Sequence, residues 1–221
     1  MINKAVGESM ISGLETAGIK DGTIISQLTE IYTSNAPLLG KVENFDALIE
    51  TTPEIKDFQE ILFDLMIVNF FAEDTKDLKE DYFESAEWAD IEEKTLDRGT
   101  ELLSVLLYIS ESHDEGIEPD LSDFIKEFLL IDDSEYQDEH QIYESFIANQ
   151  TLMDSDYAEI ARIAKGLDEE DEMKDLFYPV MSFFLNPKPS EEEKLDFEKY
   201  IVNTSFDKMV YGVLLSYYNA L

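Results

Sequence analysis

Residues able to do chemistry are scarce in this chain. Two histidines, His113 and His140, occur among 221 residues, and there is no cysteine. Without cysteine there are no disulfides, no thiolate catalysis and no cysteine-based zinc or iron–sulfur sites. His113-Asp114 has the look of a metal-dependent phosphohydrolase pair, but that chemistry wants another histidine upstream, and none exists. A carboxylate-bridged di-metal bundle needs Glu-x-x-His twice; at that spacing His140 is preceded by Gln137. Asp154-Ser-Asp156 has the spacing of an aspartyl phosphotransfer motif, but it opens a helical pattern with no strand before it and reads as a cap. No acidic loop carries the glycine of an EF-hand, and glycine-rich phosphate cradles are absent. The chain reads as a non-enzyme with no catalytic residue, no metal and no cofactor.

Two polar residues stand out for their setting. Asp64 and Asn69 interrupt an otherwise apolar run, Ile61 to Ala72. Buried polar groups need partners, so the pair either forms an internal site or hydrogen-bonds to a neighbouring helix, and the second reading is favoured. The aromatics Tyr211, Tyr217 and Tyr218 near the C-terminus offer a docking face or core packing, with packing favoured.

The dominant feature is charge. The chain carries 16 Lys and Arg against 51 Asp and Glu, a net charge of -35. Residues 1–40 and 186–221 each net -2, so the middle of the chain holds -31. Halophilic adaptation is the plain explanation of such acidity. Against it, the basic residues are almost all Lys, with Arg98 and Arg162 the only arginines, and Ile, Phe and Tyr are plentiful. Solubility alone needs far less charge than this. Packing like charges costs stability through self-repulsion. A cationic partner is the simplest reason to tolerate that cost. Nucleic acid and anionic membranes would be repelled. On a helix, carboxylates three or four apart lie about 5–6 Å from one another, a spacing close to that of successive phosphates. Two acidic segments precede apolar helical stretches and form the candidate partner-binding surface: Asp132, Asp133, Glu135, Asp138 and Glu139 in one, Asp168, Glu169, Glu170, Asp171 and Glu172 in the other.

The elements that must position these residues read as helices throughout, because no stretch alternates with period two for long enough to be a strand. The pattern predicts an all-α bundle of about ten helices. The central one spans Pro53 to Ala72, capped by Thr52 with Pro53 in its first turn; a helix apolar all round is buried. A second central helix follows the acidic run 168–175 and contains Pro179, expected to kink it. Asp21 opens a helix, Asn35-Ala-Pro37 breaks one, and Gly18, Gly116 and Gly166 end others. Capping boxes are read at Asp90-x-x-Glu93, Ser134-x-x-Gln137 and Ser190-x-x-Glu193, the first starting a helix through Leu96 to Ile109. No leader-like run opens the chain, and about 12 apolar residues in the longest stretch are too few to span a bilayer. A cytoplasmic protein is the expectation.

The two central helices share the order Leu-Phe, Met, Phe-Phe. Flanking segments match in the same order: Ile31-Tyr32 with Ile142-Tyr143, Phe45-x-x-Leu48 with Tyr157-x-x-Ile160, Val105-Leu-Leu107 with Val213-Leu-Leu215. An internal duplication is therefore expected, with an N-terminal half over 1–115 and a C-terminal half over 116–221 that can pack as one unit, the join lying near 111–119.

In size, helicity and acidity the chain resembles phage DNA mimics and the immunity proteins that neutralise basic nuclease toxins; the resemblance is one of character, with no shared motif. It implies an inhibitor that antagonises a basic, nucleic-acid-binding protein. The alternatives are a helical scaffold or adaptor whose partner is not selected by charge, and an enzyme using carboxylates and a divalent metal.

Overall fold

The computed structural model describes residues 2–75, 82–95, 98–129 and 142–221. Among these the chain is helical, with no strand. The described residues form twelve α-helices: α1 (Lys4–Thr16), α2 (Gly22–Thr33), α3 (Leu38–Thr51), α4 (Gln59–Asn69), α5 (Ala86–Thr95), α6 (Leu102–Glu115), α7 (Leu121–Leu129), α8 (Glu144–Ala148), α9 (Tyr157–Ala164), α10 (Lys174–Leu185), α11 (Glu191–Lys199) and α12 (Thr204–Ala220). No described helix is long and apolar enough to cross a membrane.

Side-chain caps set several boundaries. Asp21 accepts the Thr23 N–H at the start of α2, and Asp156 accepts the Glu159 N–H at the start of α9. Ser190 and Glu193 form the reciprocal capping box of α11. Gly116, with φ 71°, ends α6 in the left-handed conformation that only glycine adopts cheaply. Asp120 opens α7 by accepting the N–H groups of Ser122 and Asp123.

The buried central helix is present but built differently from expectation. Pro53–Phe58 is a 3₁₀ segment, Thr52 makes no side-chain cap, and α4 begins only at Gln59. Nine consecutive residues, Ile61 to Asn69, are then buried. The helix widens into a π turn over Phe70–Asp74. The Asp90-x-x-Glu93 box is contradicted. Both residues lie inside α5, where Asp90 pairs with Lys94 at 2.7 Å. The break falls instead near Gly99 and Thr100, where the Thr100 hydroxyl accepts the Leu102 N–H at 3.1 Å at the start of α6. Ser134-x-x-Gln137 lies outside the described residues.

One hydrophobic cluster runs from Ala5 to Ala220 and takes in residues of both halves. Its closest helix pair joins the two ends of the chain. A Cβ on Gly13 of α1 would come within 2.6 Å of Val213 Cγ2, and one on Gly212 of α12 within 3.3 Å of Gly13 Cα. The helices run antiparallel, so Lys4 Nζ reaches the Ala220 carbonyl at 3.0 Å and neutralises the negative end of α12. Within the bundle α4 packs on α6 and α1, and α10 packs on α12 and α9.

Candidate partner-binding surface

Of the two acidic segments, Asp132, Asp133, Glu135, Asp138 and Glu139 lie outside the described residues, as does His140. The other segment is a run of turns between α9 and α10. Asp168 turns the chain by accepting the Glu170 N–H at 3.2 Å. Asp171 accepts the Met173 N–H at 2.9 Å and the Ser145 hydroxyl at 3.2 Å, which ties this turn to α8. Glu169 pairs with Lys174 at 2.6 Å. Asp171 is thus half-buried and structural, while Asp168, Glu169, Glu170 and Glu172 are exposed.

The surplus of carboxylates is not compensated inside the molecule. Ten described Lys and Arg side chains already sit within 4.0 Å of a carboxylate, among them Arg98 with Asp46, Arg162 with Glu159 and Lys208 with Glu198. Most of these pairs are exposed and each contributes at most about 1 kcal/mol. Most of the 51 acids have no such partner among the described residues, and Glu43, Glu50, Glu54, Asp57, Glu60 and Glu87 are exposed.

A second arrangement was not expected from the sequence: a cavity of about 280 Å³ where α5 and α6 meet α4. Asp64, fully buried on α4, sets its floor. Both Asp64 oxygens accept the Thr100 N–H, at 3.1 and 3.2 Å, and Oδ2 accepts the Thr100 hydroxyl at 2.6 Å. Burial drives the Asp64 carboxyl well above its ordinary pKa, against these hydrogen bonds, and the charges of Glu101 and Glu60 add to the rise. Gly99 is required here, because a Cβ would fall 2.3 Å from Asp64 Oδ1. Glu101 lines the same cavity and accepts the Tyr143 hydroxyl through Oε2.

Rings close the other side. The π turn presents Phe70 and Phe71 to Trp88 of α5, with centroids 6.1 and 5.9 Å away. Phe83 packs edge-on against Trp88 at 5.0 Å. Phe71 and Trp88 line the cavity with Phe63, whose ring also carries Arg98, 5.4 Å from its centre.

The remaining buried polar groups are structural. Asn69 accepts the Asn3 N–H at 2.8 Å and donates to the Tyr32 carbonyl at 3.4 Å. Buried Lys41 donates to that carbonyl at 3.0 Å and pairs with Asp74 of the π turn. Asp207 accepts the N–H groups of Val202 and Asn203 at 2.7 and 2.8 Å; its Oδ1 has no partner among the described residues, and burial pushes its pKa up to about 6. Tyr211 and Tyr217 are core residues, the first stacked on Phe197 at 3.9 Å, the second hydrogen-bonded to Ser110 at 2.7 Å. His113 is half-exposed on α6. Among the described residues no group of three or more His, Asp or Glu is placed to hold a metal ion.

No family model, no curated protein and no solved structure matches this chain.

Proposed function

We propose that the protein is a non-enzymatic antagonist of a basic, nucleic-acid-binding partner protein, acting as DNA mimics and toxin-immunity proteins do by occupying the partner's phosphate-binding surface. The observation that carries the reading is the uncompensated carboxylate surface: the described cations are largely paired, yet the chain keeps a net charge of -35. Such a field steers a cationic protein into encounter and is screened by salt. Immobilised protein should retain a basic protein from extracts of its source cells at low salt and release it at high salt. That protein should lose bound nucleic acid when this chain is added. A neutral partner held with salt-independent affinity overturns the reading and favours the scaffold.

The internal duplication belongs to the same reading, since two similar halves would present related acidic faces. It is supported by the matched order of segments and by equivalent contacts: α4 packs on α6 as α10 packs on α12. Superposing residues 21–110 on 133–219 of an experimentally determined structure should bring the two central helices into the same surroundings. Unrelated surroundings would end the idea.

A further inference from the structure

Among the described residues the lining of the cavity between α4, α5 and α6 contains two acids, Asp64 and Glu101, and no basic side chain. Its walls include the rings of Phe63, Phe71 and Trp88. We propose that this cavity is the anchor site for one arginine side chain of the basic partner, an inference that rests on the antagonist reading above.

Size comes first. At about 280 Å³ the cavity falls just below the roughly 300–1,000 Å³ typical of small-molecule sites, which leaves room for one side chain. Chemistry narrows the choice. An anion would meet the charges of Glu101 and Glu60, which add to the rise that burial gives the Asp64 pKa. A wholly apolar group would take water from Glu101 and return no hydrogen bond. A cation offsets the burial of Asp64 and finds lone pairs on Glu101, which commits only Oε2 to Tyr143. Lysine presents a compact, strongly hydrated ammonium. The guanidinium is planar, less hydrated, stacks on an indole face and forks onto carboxylates. Arginine and tryptophan are also the residues on which interface energy concentrates when a pocket excludes water. The exposed acid Glu87 precedes Trp88 on α5 and adds to the negative field around the cavity.

Trp88 is the single tryptophan of the chain, so its emission reports on this cavity alone. The full-length protein is titrated with a blocked Gly-Arg-Gly peptide and, separately, with the same peptide carrying neutral citrulline. The arginine peptide should give a saturable change in Trp88 emission and should shift the amide resonances of Gly99 and Thr100. The citrulline peptide should do neither. Glu101→Gln, which keeps an acceptor for Tyr143, should weaken the arginine peptide about tenfold, the loss of one charge-assisted bond. The proposal is overturned by an absent Trp88 response, by an equal citrulline response, or by unchanged affinity in Glu101→Gln. The amide shifts need no variant and so stand even where Glu101→Gln folds poorly. A silent Trp88 beside a salt-released basic partner removes the anchor and keeps the antagonist. A binding peptide with no basic partner to be found removes the antagonist and leaves an arginine site.

Discussion

Along the α1–α12 seam two helix backbones almost touch, whereas at the α4–α6 junction the helices are held apart by a carboxylate, a threonine and a cavity with aromatic walls. The seam uses glycine for close approach: Gly13 faces Gly212, and a Cβ on Gly212 would also meet Thr16 Oγ1. The junction concentrates what the seam avoids. Asp64 is fully buried there, Gly99 yields space to its oxygen, and the π turn redirects Phe70 and Phe71 toward Trp88. A π turn inside a helix frequently marks a functional site. The seam closes the chain ends on the core; the junction gives up packing to keep acids and rings around an opening.

The largest expected effect breaks the seam. In Gly13→Leu the new side chain meets Val213 Cγ2 at 2.6 Å, Met209 Sδ at 2.9 Å and the Met209 carbonyl at 3.1 Å. Met209 can move; the backbone cannot without separating α1 from α12. The cost should be about 3 kcal/mol, the upper range for overpacking, read as a lower midpoint in urea. The junction should be less sensitive. Asp64→Ala removes the acceptor for Thr100 but adds space to an existing cavity, and the cost should be about 2 kcal/mol. Asp64→Asn, which keeps a carbonyl oxygen, should cost less than half of that. Equal losses in Gly13→Leu and Asp64→Ala would mean that the two regions are not distinct in packing.

How far this contrast could be read from sequence depends on the kind of signal each region carries. Amphipathic helices, their breaks and the buried central helix were legible, because periodicity and caps are local. Ser190-x-x-Glu193 became a capping box and Asp90-x-x-Glu93 did not, although the pattern is the same. At Asp90 a preceding turn had already started α5, and a mid-helix acid finds Lys94 instead of a free N–H. Asp64 was visible as a polar residue in an apolar helix, but its partner was not. Thr100 lies 36 positions away, and no local rule pairs the two. Glu101 escaped notice altogether; the break at Gly99-Thr100 was the one available signal. Buried Lys41 shows the same limit, since its acceptors are set by where α2 ends and where the π turn places Asp74. The partner-binding residues were chosen by charge alone, and among those described Asp171 is half-buried and tied to Ser145 while Asp168 holds a turn.

A third test turns on protons. The pKa of Asp207 is about 6 in the folded chain against an ordinary 3.8, so the native state binds this proton more tightly than the unfolded one. Its stabilising contribution is complete below about pH 3.8 and is lost as pH rises through about 6. Asp64 moves in the same direction. Between pH 7.5 and pH 5 stability should therefore increase, by about 1 kcal/mol from Asp207 alone, where paired carboxylates usually give a decrease. Thermal unfolding across that window checks the sign. Asp207→Asn should flatten part of the slope, and a midpoint that falls steadily from pH 7.5 to pH 5 would show that neither buried acid governs the profile.

The smallest effect on stability belongs to the exposed acids, and there it is the contrast between folding and binding that matters. In the triple change Asp168→Asn, Glu170→Gln and Glu172→Gln, each residue faces solvent and none holds the Ser145 tie, which belongs to Asp171. Asn at 168 still offers the Glu170 N–H an acceptor. Stability should change by less than about 0.5 kcal/mol. Association with the basic partner recovered at low salt should slow, with dissociation little changed, because dispersed charges act on encounter. The slope of affinity against salt should also become shallower, since fewer charges remain to be screened over a length of about 8 Å at physiological ionic strength. Glu101→Gln should do the reverse and speed dissociation, because an anchored arginine acts after docking. If the triple variant and Glu101→Gln change the same rate constant, the acidic turn and the cavity are not separate parts of one binding surface.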